Sequence, residues 1–199
     1  MLNGKKIDFE TNLKDAFESG YVNAASSLSK MTKDKVFFHN FHHSMHKLSG
    51  DGILDLNSFS RNGTNFLVTT EIFGDVTGKS YLLLSQHDFD LLTNNIRGSN
   101  GNILKEEYIK ELDNILSAAV ITKLSNDLKL KMYGDIPMLE TRMEGSVEDT
   151  IFNDFKGQTE EIYVNSIFFS FDGHSNISPF FIWVMSSSIL STIETKLIH

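Results

Sequence analysis

The chain has no cysteine among its 199 residues, which removes disulfides, thiolate zinc sites and thiol nucleophiles and fits a reducing compartment. Basic residues are in the minority, 18 Lys and Arg against 26 Asp and Glu, for a formal net charge of −8. No run of Lys or Arg is present, so phosphate-backbone binding is disfavoured and nucleic acid is not an expected partner. No stretch approaches the roughly 20 apolar residues of a membrane span. The apolar run Phe180 to Met185 is only strand-length, so no membrane association is expected. The opening MLNGKKIDFE lacks the apolar core of a signal peptide, and the expected location is the cytoplasm. Also missing are the Gly-Lys-Ser/Thr ending of a phosphate-binding loop and the Gly-x-Ser-x-Gly elbow of a serine hydrolase. Ser117, Ser125 and Ser186-Ser187-Ser188 therefore have no local support as nucleophiles. What the chain does have is apolar mass: 40% of residues are hydrophobic and 16 are Phe, enough to bury a substantial core in one domain or two fused halves.

The sequence repeats itself internally. At an offset of 96, Leu13-Lys14-Asp15 lies on Ile109-Lys110-Glu111, Ala24-Ala25-Ser26 on Val120-Ile121-Thr122, and Lys33 to Val36 on Lys129 to Met132. Both segments read as long amphipathic helices running into a strand. At an offset of 101, Val76 to Ser85 lies on Ile177 to Ser186, and each copy closes with a short helix, Asp88 to Ile96 and Ser188 to Leu197. Between these, Asn65 to Phe73 and Glu161 to Phe169 are β-rich, and the turn-like Gly74-Asp75 and Asp172-Gly173 predict antiparallel hairpins. Gly98-Ser99-Asn100-Gly101-Asn102 reads as the junction, and the inserts Ser49 to Gly63 and Gly145 to Gly157 as loops. The expected fold is α+β: residues 1–199 as a single domain of two pseudo-repeats, about 9–98 and about 103–199, with a mostly antiparallel sheet and two long helices packed on one face.

One pair of polar residues stands out in the second long helix. Glu111 and Asn114 are at i and i+3, so they share a helix face and can act together on one external partner. After 22 intervening residues comes Pro137, one of only two prolines in the chain. The run Tyr108 to Ala119 resembles the catalytic helix of the CheC, CheX and FliY phosphatases of bacterial chemotaxis, whose pattern is Asp or Ser, x3, Glu, x2, Asn, x22, Pro. Here the pattern reads Glu107-x3-Glu111-x2-Asn114-x22-Pro137, with Glu in place of Asp or Ser at its first position. Asn23 to Ser29 is similar to the family's first helix and Gly74 to Gly78 to its strand turn. The first copy departs further, because Asp15 stands at the position of Glu111, Glu18 at that of Asn114 and Phe41 at that of Pro137. Glu18 lacks the amide donor, so one working site is expected, as in CheX, with Asp15 and Glu18 a solvated acidic face.

The resemblance implies hydrolysis of the aspartyl phosphate on a phosphorylated CheY-like response regulator, which brings its own Mg²⁺ and a lysine to the phosphoryl group. The protein itself then needs no cofactor. Asn114, whose carboxamide both donates and accepts, would orient the attacking water, and Glu111 would pair with the regulator's lysine. Small Ser117, Ala118 and Ala119 would let the partner approach closely, and Pro137 would shape the chain between helix and strand. A homodimer is implied by resemblance to CheX. The alternative is a non-catalytic docking module, like the related domain of the flagellar switch protein FliM.

A competing constellation is His39, His42, His43 and His46. On a helix these would converge on one face and suit a divalent transition metal. No Glu follows as in His-Glu-x2-His, so a polar loop or helix surface is expected and no metal site is assigned. His87 and His174 read as turn residues.

Overall fold

The computed structural model describes residues 9–48, 64–94, 101–141, 146–173 and 176–198. Along the chain run α1 (Phe9–Thr32), β1 (Val36–Lys47), β2 (Thr64–Gly74), β3 (Gly78–Ser85) and α2 (Gln86–Thr93). These are followed by α3 (Gly101–Leu128), β4 (Met132–Gly134), β5 (Met138–Thr141), α4 (Val147–Phe155), β6 (Glu161–Phe171), β7 (Phe180–Ser186) and α5 (Ser188–Ile198). Apolar side chains at helical spacing produce the two long helices. α1 buries Leu13, Phe17, Ala24 and Leu28, and α3 buries Ile109, Leu112, Leu116, Val120 and Leu124. Each helix is stopped by a lysine in the left-handed region, Lys33 (φ 62°) and Lys129 (φ 55°), which turns the chain into the next strand.

The seven strands form one antiparallel sheet in the order β1-β6-β7-β3-β2-β4, with β5 also paired to β2. The strand order interlocks the two parts of the chain. β1, from the first part, pairs with β6 of the second, and β4, from the second, pairs with β2 of the first. The central strands are apolar on both faces, as continuous runs such as Phe180 to Met185 require. Phe181, Trp183 and Met185 join the larger core under α1, α2, α3 and α5. Phe180, Ile182 and Val184 join a smaller core on the other face, where Ile151 and Phe155 of α4 cover them. The fold is thus α+β with both long helices on one face, as the sequence predicts.

Several local expectations need correction. Residues 147–155 are helical, not a loop, because Ser146 caps the N-terminus: its Oγ accepts from the Asp149 backbone N–H at 3.0 Å. Gly101 and Asn102 open α3 and are not part of a junction loop. The capping box between Ser85 and Asp88 starts α2 two residues before Asp88 and places His87 inside that helix. Ser49 to Gly63, Gly98, Ser99, Asn100 and His174 lie outside the described residues.

α1 and α3 pack so closely that Gly20 has no room for a side chain: a Cβ there would lie 2.9 Å from the Val120 Cα. Lower on α3 the packing is polar. Thr70 of β2 and Ser80 of β3 are cross-strand partners on the helix-covered face, among apolar neighbours. Thr70 Oγ1 donates to Asp113 Oδ2 at 2.6 Å, and the Ser80 and Ser117 hydroxyls share a 2.9 Å hydrogen bond. All four residues are buried, and Asp113 Oδ1 has no hydrogen-bond partner. Desolvation pushes the Asp113 carboxyl up to about 7, partly offset by the hydroxyls of Thr70 and Ser117.

Two stability measurements follow from this packing. Gly20→Ala should destabilise the fold by roughly 1–3 kcal/mol in urea titration, because the Val120 backbone cannot yield; an unchanged midpoint would refute the close crossing. Asp113 has a folded-state pKa raised above its unfolded value, so its contribution is fully present below about pH 4 and is lost as pH rises towards about 7. The unfolding free energy of the wild type should therefore fall between pH 4 and 7 by a few kcal/mol more than that of Asp113→Asn, and parallel profiles would disprove the assignment.

Candidate functional site

The inward register of α3 decides what it shows to solvent. With Ile109, Leu112, Asp113, Leu116 and Ser117 against the sheet and α1, the outward stripe is Leu104, Glu107, Glu111, Asn114 and Ala118, all exposed. Glu107, Lys110, Glu111 and Asn114 form one wall of an open groove of about 370 Å³, and Gly134, Asp135, Ile136 and Pro137 form the other. All four residues of the sequence pattern, Glu107, Glu111, Asn114 and Pro137, thus meet in one groove.

The facing wall is held in place by the sheet. β4 pairs with β2 in the register Ile72 with Gly134, and just beyond it the Asp135 backbone N–H donates to the Glu71 carbonyl at 2.8 Å. Asp135 Oδ1 then accepts from the Ile136 N–H at 2.7 Å, which shapes the turn that leads to Pro137 between β4 and β5. Gly134 lets this wall approach α3. A Cβ there would lie 3.0 Å from Ile121 Cδ1 and 3.4 Å from Thr70 Cγ2. Thr70 therefore sits at the root of the groove, bonded to the helix wall through Asp113 and lying under the turn wall at Gly134.

Within the groove the Asn114 amide Nδ2 donates to Glu111 Oε2 at 3.3 Å, so the two side chains are already oriented towards each other. Lys110 is paired with Glu107. The lining thus holds three carboxylates, Glu107, Glu111 and Asp135, against one ammonium that is already engaged. Such a lining attracts a cation and repels a bare anion. Asn114 offers a carboxamide, donor and acceptor together, at the solvent-facing end of the pair. Among the described residues no group of three or more His, Asp or Glu side chains is placed to hold a metal ion.

Other sequence expectations are placed differently. Ser117 does not face a partner: it is buried and bonded to Ser80. Ala119 packs against the core, leaving Ala118 as the exposed small residue of that trio. Asp15 and Glu18 are exposed on α1, where Lys14 pairs with Glu18 at 3.8 Å. At the positions of Gly134 and Pro137 the first part of the chain carries Phe38 and Phe41. Both pack on Tyr21, with ring centroids 5.4 and 5.9 Å away, so aromatic packing stands where the second part carries Gly134 and Pro137.

The histidines lie in the edge strand β1, neither a loop nor a helix, with a register irregularity between His39 and His42. Strand geometry spreads them: His39 stacks on Phe168, His43 lies beside Phe41, and His46 Nε2 bonds Ser44 Oγ at 2.6 Å. The convergence that a helix would give is lost. Missed by the sequence reading were Lys110, Asp113, Gly134, Asp135 and Ile136. The i, i+3 spacing of Lys110 from Glu107 was the available signal for the first, and nothing local marks Asp113, whose partner lies 43 residues away.

No protein-family model matches this chain, and no curated protein matches it. Solved structures do. FliY from Thermotoga maritima superposes with a TM-score of 0.65 at 15% identity, covering 100% of this chain and 98% of its own. The FliM middle domain from Vibrio alginolyticus matches with a TM-score of 0.57 at 15% identity, over 90% of this chain and 98% of that one. CheX from Borrelia burgdorferi, solved in complex with CheY, BeF3 and Mg²⁺, matches with a TM-score of 0.52 at 11% identity, over 86% of this chain and 98% of that one. At these identities the likeness is one of backbone, spanning nearly the whole of each domain, and on it the chain has the CheC/CheX/FliY fold.

Proposed function

We propose that this protein is a cytoplasmic phosphatase of a phosphorylated CheY-like response regulator. The observation that carries the reading is the convergence of Glu111, Asn114 and Pro137 on one acidic groove, with Asn114 Nδ2 and Glu111 Oε2 3.3 Å apart. The acidic lining is unsuited to a free phosphate ester. It suits a phosphoryl group already neutralised by a divalent cation and an ammonium, which is how a receiver domain presents its phosphoaspartate. The likeness to a CheX that was crystallised with CheY supports the same partner class.

In this reading Glu111 accepts the receiver's lysine, and Asn114 enters the receiver's active site beside it. The Asn114 carboxamide holds a water in line with the P–O bond to the aspartate. Attack forms a bond from the water oxygen to phosphorus and breaks the bond to the aspartyl oxygen. The aspartate leaves as carboxylate, and the water's proton ends on inorganic phosphate. Magnesium belongs to the substrate protein, and this chain supplies position and charge. Pro137 keeps the opposite wall in shape and touches no reacting atom.

A second reading, a docking module without turnover, is favoured by one observation, the likeness to FliM middle domains at TM-scores of 0.57 and 0.56. The decay of phosphorylated receiver proteins from the same organism separates the two. Under the phosphatase reading, Asn114→Ala should slow the catalysed decay on the order of 100-fold with the fold intact, whereas Glu111→Lys should weaken association. Receiver binding with no acceleration by the wild type, insensitive to Asn114→Ala, would establish the docking module instead.

A further inference from the structure

The Asp113–Thr70 and Ser117–Ser80 hydrogen bonds form a polar rung beneath Glu111 and Asn114, and its counterpart elsewhere in the fold shows what it is not needed for. At the offset of 96, Asp113 corresponds to Phe17 and Ser117 to Tyr21. In the sheet, Thr70 and Ser80 are cross-strand partners, and the equivalent partners under α1 are Ile167 and Phe181. Under α1 that rung is aromatic and holds no carboxyl: Tyr21 is edge-on to Phe181 at 6.4 Å and Phe17 to Trp183 at 5.7 Å, and the Tyr21 hydroxyl donates to Asn165 Oδ1 of β6 at 2.6 Å. A long helix is held on this sheet there by aromatic packing and one neutral hydrogen bond, with no buried carboxyl. Under α3 the same place holds a fully buried carboxyl with one oxygen unpartnered, an arrangement that packing alone does not favour.

A hydrogen bond fixes a direction, whereas a packed apolar side chain tolerates rotation and sliding. Asp113 immediately precedes Asn114, and Ser117 is one turn on, so their two bonds set how α3 is rotated about its axis. Thr70, which binds Asp113, also lies under Gly134 of the opposite wall, so one residue references both sides of the groove. We infer that Asp113 and Thr70 are positioning residues: they hold α3 at the rotation that presents Asn114 to the phosphoryl group, without contributing to how tightly the partner binds. The inference rests on the phosphatase reading for its kinetic consequence, though its structural consequence can be read without turnover.

The test is the double variant Thr70→Val with Asp113→Leu, which replaces both partners by apolar groups of similar shape and leaves no buried donor or acceptor behind. It should fold at least as stably as the wild type, with kcat for phosphoreceiver decay at least 10-fold lower and KM within about twofold. Thr70→Ser, which keeps the hydroxyl, should retain wild-type kcat. In NMR spectra without any partner, the Asn114 side-chain amide resonances should move in the double variant and stay in place in Thr70→Ser. Unmoved Asn114 resonances, an undiminished kcat, or a double variant that fails to fold would each overturn the inference. If Asn114→Ala itself leaves the decay rate unchanged, the phosphatase reading falls, and the NMR comparison still decides the positioning claim.

Discussion

The hydrogen bond from Thr70 Oγ1 to Asp113 Oδ2 ties the middle of a sheet strand to the middle of the helix that carries Glu111 and Asn114, and the groove's geometry hangs on that tie. A helix lying on a sheet through Leu and Val contacts can rotate by several degrees at little cost, since dispersion contacts are individually weak and non-directional. A 2.6 Å bond from a hydroxyl to a carboxyl removes that freedom. With Asp113 and Ser117 turned inward, residues 107, 111, 114 and 118 can only point outward. The polar rung thus converts the packing of α3 into the direction of two exposed side chains.

The second constraint is the exchange of strands between the two parts of the chain. β4 follows α3 directly, yet it completes the sheet beside β2 of the first part. That pairing carries residues 134–137 back alongside the helix from which they came, and the narrow approach at Gly134 closes the groove to its observed width. Beside α1 the positions corresponding to Gly134 and Pro137 carry Phe38 and Phe41, which both pack on Tyr21 of the helix. Beside α3 the groove between residues 107–114 and 134–137 stands open for a partner's residue to enter.

Much of this was legible in the sequence. The apolar spacing of α1 and α3, the β-rich runs of β2 and β6 and the turns after them specified a helix-covered antiparallel sheet, because burial on one helix stripe and on strand faces imposes those periods. Glu111, Asn114 and Pro137, singled out by their spacing, all line one groove. What misled was context. Four histidines at helix-compatible spacing lie in an edge strand, because the Phe37, Phe38 and Phe41 around them pair and pack with β6 and α1. A polar segment at 147–155 forms a helix because Ser146 and Asp149 cap it and Ile151 and Phe155 find an uncovered sheet face.

The sequence by itself determined which residues are amphipathic, where the chain turns, and that a carboxylate and a carboxamide share a helix face, since these depend on neighbours within a few positions. Only the tertiary structure decided that Asp113, a charged residue type in a solvent-accessible pattern, is buried, that Ser117 faces inward, and that Pro137 stands across from Asn114. Each of those facts depends on a contact with a distant strand: Thr70 and Ser80 for the helix, Ile72 and Glu71 for the turn. Such contacts are settled by which strands pair. No local stretch of the chain specifies that choice.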